Sequence, residues 1–157
     1  MSRWDPAEIS RVLLVLEARL DTPYEIGSQG PKGWVTRGKP SIEETVPKSF
    51  DCSGLSRWAI GQGKCQNGAR VILPHGTLEQ IKACTPVAAG PVYPLDLGFA
   101  DLHGADGAPD HVIIRFDDTR VIEARGAPYD KVIFRPVEKW EAQKGFMGWW
   151  RAPGIYG

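Results

Sequence analysis

The spacing of apolar residues changes once along this chain, near Pro86, and that change limits the architectures open to it. Upstream, apolar positions recur at helical intervals. Ile9, Val12, Leu13, Leu16 and Leu20 share one face of a helix predicted over residues 5–20. Asp5 is its expected N-cap, Pro6 suits the first helical position, and Glu8, three residues after Asp5, completes a predicted capping box. A second helix is predicted from Cys52 to about Gly61, with Leu55, Trp58 and Ala59 buried and Gly61 and Gly63 ending it. A third is predicted from Thr77 to Ala83, with Thr77 as N-cap. Downstream, short apolar runs predict strands near 96–100, 111–116, 120–124, 131–135 and 147–152, with Asp117-Asp118-Thr119 as a turn between the second and third. Helices first and strands afterwards imply an α+β domain, with N-terminal helices packed on a small antiparallel sheet. The 157 residues suit one domain spanning 1–157.

Between the first two helices the pattern is lost. Gly27, Gly30, Pro31, Gly33, Gly38, Pro40 and Pro47 interrupt any period, so this stretch reads as a long irregular segment, which in a folded domain is usually functional or mobile. Lys+Arg and Asp+Glu both number 19, and a formal net charge of zero lacks the basic footprint of a nucleic-acid or anionic-membrane binder. There is no CxxC, HExxH, GxGxxG or GxxxxGK[ST], so neither a metal nor a nucleotide cofactor is expected. No basic region followed by a long apolar run opens the sequence, so synthesis in the cytoplasm without a Sec signal is expected. Three cysteines, an odd number, imply at least one free thiol.

One of those thiols stands where chemistry is easiest to support. Asp51-Cys52-Ser53-Gly54 joins the irregular segment to the second predicted helix. A helix N-terminus offers unpaired N–H groups and the positive end of the dipole, which favour a thiolate and can hold a developing oxyanion. Small Ser53 and Gly54 are expected to leave room for a substrate. Such a nucleophile needs a base, which the fold rather than the sequence brings near. His75 follows Pro74 in a turn, His103 lies in a Gly-rich loop, and His111 opens an apolar strand. A strand start holds a side chain rigidly, which favours His111. The base needs an orienter for its second nitrogen. Glu123 falls on the strand predicted beside that of His111, and its apolar neighbours Val121, Ile122 and Ala124 make a carboxylate there conspicuous.

Taken in order, these segments resemble the NlpC/P60 superfamily of cell-wall cysteine peptidases. Asp51-Cys52-Ser53-Gly54-Leu55 is similar to its nucleophile motif, and Thr22-Pro23-Tyr24-Glu25-Ile26-Gly27 to its upstream Pro-Tyr-x-x-Gly-Gly stretch. Leu73-Pro74-His75-Gly76-Thr77-Leu78-Glu79-Gln80 resembles its Leu-Pro-Arg-x-[Ser/Thr]-x-x-Gln segment, and Pro94-Leu95-Asp96-Leu97-Gly98-Phe99 its Pro-Gly-Asp-Leu-x-Phe strand. His111-Val112-Ile113-Ile114 is similar to the family's histidine strand, and Glu123-Ala124 falls where it carries a third polar residue, often His. The departures are Ser28 for the second glycine, Ile26 for the preceding aromatic, Leu95 for the glycine before Asp96, and two lengthened segments, 28–49 and 101–110, which read as loop insertions.

The resemblance implies a papain-like core and a thiol peptidase that hydrolyses peptidoglycan stem peptides, often at the D-γ-glutamyl bond to a diamino acid. It implies Cys52, His111 and Glu123 as catalytic residues and Tyr24, Asp51 and Ser53 as substrate-binding residues that meet a free amine. A monomer acting on the cell wall is expected, phage-released, virion-borne or exported by another route; Trp34 is the candidate for stacking on sugar. Acyl transfer on the same thiol fold and a non-catalytic phage structural or interaction domain stay open as alternatives.

Overall fold

A computed structural model describes residues 3–28, 46–88, 90–104 and 106–157. Most of the predicted 28–49 insertion, with Trp34, lies outside the described residues. In chain order the described elements are α1 (Pro6–Glu17), α2 (Cys52–Gly61), α3 (Thr77–Ala83), β1 (Thr85–Pro86), β2 (Leu97–Ala100), β3 (His111–Arg115), β4 (Arg120–Arg125), β5 (Lys131–Pro136), α4 (Val137–Glu141) and β6 (Phe146–Arg151). The strands form one sheet in the order β1-β6-β2-β3-β4-β5, with every neighbouring pair antiparallel. This is the α+β arrangement that the change of period implies.

The core is built around α2, which lies on β3 and β4 and is backed by α1 and α3. The sequence marks one apolar face on α2, but every residue from Ser53 to Gly61 is buried. Its polar side is sealed by the segment around α3. Ser56 Oγ donates to Gln80 Oε1 (2.6 Å), and Gln80 Nε2 donates to the carbonyls of Ser53 (2.9 Å) and Pro74 (3.0 Å). Arg57 Nε donates to the Leu73 carbonyl at 3.1 Å. Buried polar groups demand such partners, which explains why a glutamine with no solvent exposure sits on a short helix. Val12 and Leu16 of α1 pack against the same core, while Leu14 on the far side is exposed.

Local details differ from the sequence reading for identifiable reasons. The helix predicted to residue 20 ends at Glu17. The chain then turns through Asp21 at φ 71°, and the Asp21 N–H bonds the Val132 carbonyl on β5. Asp5 caps α1 by accepting from the Ala7 N–H (2.8 Å), but no capping box forms, because the Glu8 carboxylate takes Arg11 (2.6 Å) and the Lys64 N–H (2.8 Å). Thr77 is not the N-cap of α3. Gly76, at φ 82°, takes that position, and Thr77 Oγ1 donates to the Pro109 carbonyl (2.8 Å), tying α3 to the loop before β3. The strand expected from residue 96 begins at Leu97, after Leu95 at φ 71°. Leu95 thus adopts the left-handed backbone that a glycine takes freely, and its fully buried side chain anchors it there. The two-residue β1 and the five-residue α4 are too short to carry a period, and sequence reading misses both.

Gly54 is small for a different reason from the one expected. A Cβ there would overlap the Ser28 carbonyl and stand 2.7 Å from Asp51 Oδ1, so its space is filled by the protein's own backbone and cap rather than left for a substrate. Gly54→Ala is therefore expected to cost about 1–3 kcal/mol of stability through overpacking and so to lower the thermal unfolding midpoint, although alanine is the better helix former by about 1 kcal/mol. An unchanged or raised midpoint would show that the Ser28 segment gives way without cost.

Candidate active site

The site begins with the way α2 starts. Asp51 has extended backbone (φ −92°, ψ −178°), and its Oδ1 accepts the Gly54 N–H at 2.6 Å. The preceding chain is strapped to the 23–28 segment. Phe50 N–H donates to the Pro23 carbonyl (3.0 Å), Glu25 N–H to the Phe50 carbonyl (3.0 Å), and Asp51 N–H to the Ser28 carbonyl (3.0 Å). Cys52 is the first residue of α2, half-buried, at the positive end of the helix dipole. Tyr24 is brought alongside by the same strap. Its phenol is pushed up by burial and by the nearby charges of Cys52 and Asp51. Asp51 and Ser53 are 8% and 3% exposed, and the Ser53 hydroxyl lies 3.5 Å from Asp51 Oδ1.

His111 opens β3 opposite the start of α2. The loop before it, one of the two expected insertions, is tied down by its own carboxylates. Asp110 accepts the N–H groups of Leu102 and His103 (both 2.8 Å), and Asp101 Oδ2 accepts that of Gly107 (2.8 Å). Cys52 lies on one side of the His111 ring, close enough to strengthen its hold on a proton, and on the other side Nε2 is 3.1 Å from Glu123 Oε1. With Nε2 given to Glu123, Nδ1 is the nitrogen turned to the thiol. Burial lowers the imidazole's affinity for a proton. The hydrogen bonds and negative charges of Cys52 and Glu123 outweigh that and push it up to about 9.

Glu123 lies on β4 with no solvent exposure. Its Oε1 also receives Arg125 at 3.2 Å, and its Oε2 accepts the indole N–H of Trp140 from α4. Burial alone would raise this carboxyl. The hydrogen bonds of His111 and Trp140 and the charges of His111 and Arg125 hold it below its ordinary 4.5. Trp140 lies nearly parallel to His111, with ring centroids 5.2 Å apart and planes at 20°. The guanidinium groups of Arg125 and Arg135 are 5.2 and 5.4 Å from the Trp140 ring centre.

The structure therefore brings together Cys52, His111, Glu123 and Tyr24, with Asp51 capping α2 and Ser53 buried next to Cys52. It keeps the other candidates apart. His103 is exposed in its loop, and His75, beside Arg57, is pushed down by burial and that charge. Cys65 is buried, and burial with the charge of Asp96 pushes the Cys84 thiol up to about 12. Sequence reading missed Arg125 and Trp140 as neighbours of the site. Arg125 could have been found as the residue two after Glu123 on the same strand face. Trp140 sits in a charged stretch with no apolar period to place it.

No family model matches the chain's sequence, and no curated protein matches it. Solved structures do. An NLP/P60-family, lipoprotein-like protein of Staphylococcus aureus superposes with a TM-score of 0.68 at 20% identity, covering 99% of this chain and 44% of that one. The chain has an NlpC/P60 superfamily fold. RipB of Mycobacterium tuberculosis, described as a peptidoglycan hydrolase, shares this fold at 26% identity and TM-score 0.59, covering 97% of this chain and 69% of RipB. RipD of the same organism, described as a non-catalytic NlpC/P60 domain adapted to peptidoglycan binding, shares it at 21% identity and TM-score 0.61, covering 92% of this chain and 97% of RipD. The chain thus spans less than half of the Staphylococcus aureus protein's length. No helix among the described residues is long and apolar enough to cross a membrane.

The NlpC/P60 sheet carries two linked titrations of opposite sign. His111 has a raised folded value, so its contribution to stability is complete below its ordinary 6.5 and is lost as pH rises through about 9. Glu123 has a depressed one, so its contribution is present above 4.5 and is lost as pH falls through the folded value. An NMR titration of His111 is expected to give a midpoint well above 6.5 that falls in Cys52→Ala, because the thiol contributes to the rise. A midpoint unmoved by that substitution would separate the two side chains. Urea unfolding below pH 4.5 is expected to weaken wild type more steeply than Glu123→Gln, whose side chain has no proton to take up.

Proposed function

We propose that the chain is a cysteine peptidase that hydrolyses amide bonds in bacterial peptidoglycan stem peptides. The observation that carries this reading is Cys52 at a helix start beside His111, which is itself hydrogen-bonded to the buried Glu123, on a fold shared with RipB. A cysteine thiol beside an imidazole with a buried carboxylate behind it has the parts for acyl transfer through a thioester.

In the proposed mechanism the Cys52 sulfur attacks the amide carbonyl carbon, forming C–S, while the Cys52 backbone N–H at the helix start stabilises the oxyanion. His111 passes its Nδ1 proton to the amide nitrogen, the C–N bond breaks, and the amine leaves. The now neutral His111 takes a proton from water, the hydroxide attacks the thioester, and Cys52 departs as thiolate. Glu123 keeps the proton on Nε2 throughout. Tyr24 and Asp51, with Ser53 orienting the Asp51 carboxylate, meet a free amine at one end of the peptide. The favoured bond is D-γ-glutamyl to a diamino acid. No metal or cofactor takes part in this scheme, the proposed working unit is a monomer, and the proposed setting is a phage lysin, a tail-associated hydrolase or an injected effector.

The fold neighbour RipD favours a second reading, a domain that binds peptidoglycan without cleaving it. The two separate cleanly. Purified peptidoglycan incubated with wild type and analysed by mass spectrometry is expected to yield new stem-peptide amines, with at least about a thousandfold less product from Cys52→Ala. Equal product from both, or none from either alongside retained binding, overturns the hydrolase reading. Iodoacetamide near neutral pH is expected to modify Cys52 well before Cys84, whose thiol is held protonated.

A further inference from the structure

Trp140 touches both members of the His111–Glu123 pair. Its indole lies against the imidazole at 5.2 Å and 20°, and its N–H donates to Glu123 Oε2, the oxygen that His111 does not use. The side chain is 1% exposed on α4, packed with Val137, Val121 and Trp149. A single hydrogen bond from Nε2 to Glu123 fixes one point of the imidazole but leaves the ring free to turn about that bond. A parallel indole removes that freedom.

The indole N–H also decides protons. It can only donate, and the Arg125 guanidinium at Glu123 Oε1 can only donate and stays charged. With donors on both oxygens, Glu123 is kept as an acceptor. The nitrogen facing it must then carry hydrogen, which leaves Nδ1 for the thiol. The charged or titratable groups facing this assembly, among the described residues, are Cys52 from α2, Arg125 from β4, Arg135 from β5 across the indole, and Tyr24 and Asp51 beyond the thiol.

We infer that Trp140 is a positioning residue for His111, holding the plane of the imidazole by stacking and its tautomer through Glu123. This rests on the reading that Cys52 and His111 act as a pair, but it needs no knowledge of the substrate. Plain core packing would require only the ring. Trp140→Phe keeps an aromatic face and most of the volume while deleting the donor.

The test is the rate of iodoacetamide alkylation at Cys52 across pH, located by mass spectrometry, for wild type, Trp140→Phe and His111→Ala, with thermal unfolding run alongside. Wild type is expected to alkylate on a plateau that His111→Ala abolishes. In Trp140→Phe the plateau is expected to fall about tenfold, the scale of a lost hydrogen bond to a charged group. Its acid limb is expected to move to higher pH, because Glu123 without the indole donor takes up a proton earlier and releases His111. A Trp140→Phe profile that superimposes on wild type, while His111→Ala differs, overturns this inference alone. A His111→Ala profile that superimposes on wild type overturns the pair and this inference together. Nitrogen-15 spectra of wild-type His111 above its titration give a reading that does not depend on any variant folding. A neutral ring with its proton on Nε2 supports the inference, and one with its proton on Nδ1 overturns it.

Discussion

A carboxylate with no solvent exposure is the constraint around which this sheet is arranged. Left alone in the interior, Glu123 would take up a proton and cease to act as an anion. It is instead met by three donors from three elements: His111 from β3, Arg125 from its own strand, and Trp140 from α4. Removing any one partner leaves the others facing a poorly satisfied charge, and breaking such a buried set costs far more than a surface pair contributes. The short α4 earns its place here. Five residues make a poor helix by themselves, but they bring an indole against the imidazole and its N–H to the Glu123 carboxylate.

The other half of the site depends on the start of α2. Asp51 caps the helix, and the Ser28 carbonyl accepts the Asp51 N–H while occupying the space beside Gly54. Those contacts fix where Cys52 stands relative to His111, and the 23–28 strap brings Tyr24 to the same place. The helix itself is held from behind by Gln80, whose amide joins the Ser53 and Pro74 carbonyls. Residues that the sequence presents as separate motifs are thus successive layers against one buried helix. The proposed nucleophile and base come from opposite sides of the core, one on a helix and one on a strand, so neither moves without the packing between them changing.

Much of this was legible in the residues. The helical spacing before Pro86 and the short strands after it yielded three helices and five strands close to their observed limits, because amphipathic periods of that length outweigh local exceptions. Cys52 at a helix start, His111 at a strand start and Glu123 among apolar neighbours were each visible from type and position. What was not visible had short range or mixed signals. Thr77 looked like a cap but serves the Pro109 carbonyl, Glu8 looked like half of a capping box but serves Lys64, and Gly54 looked like room for a ligand but makes room for Ser28. For Thr77 and Glu8 one side chain had two competent partners and took the distant one, and for Gly54 a distant backbone filled the space.

The sequence by itself determined the α+β class, the order of the elements and the residue types able to do thiol chemistry, because periodicity and capping are local properties of the chain. Only the tertiary structure decided that Glu123 is wholly buried, that Arg125 and Trp140 share it with His111, and that Asp51 caps α2. Those outcomes depend on which strands pair and in what register, and a register is set by the sum of long-range packing that no short stretch of residues contains.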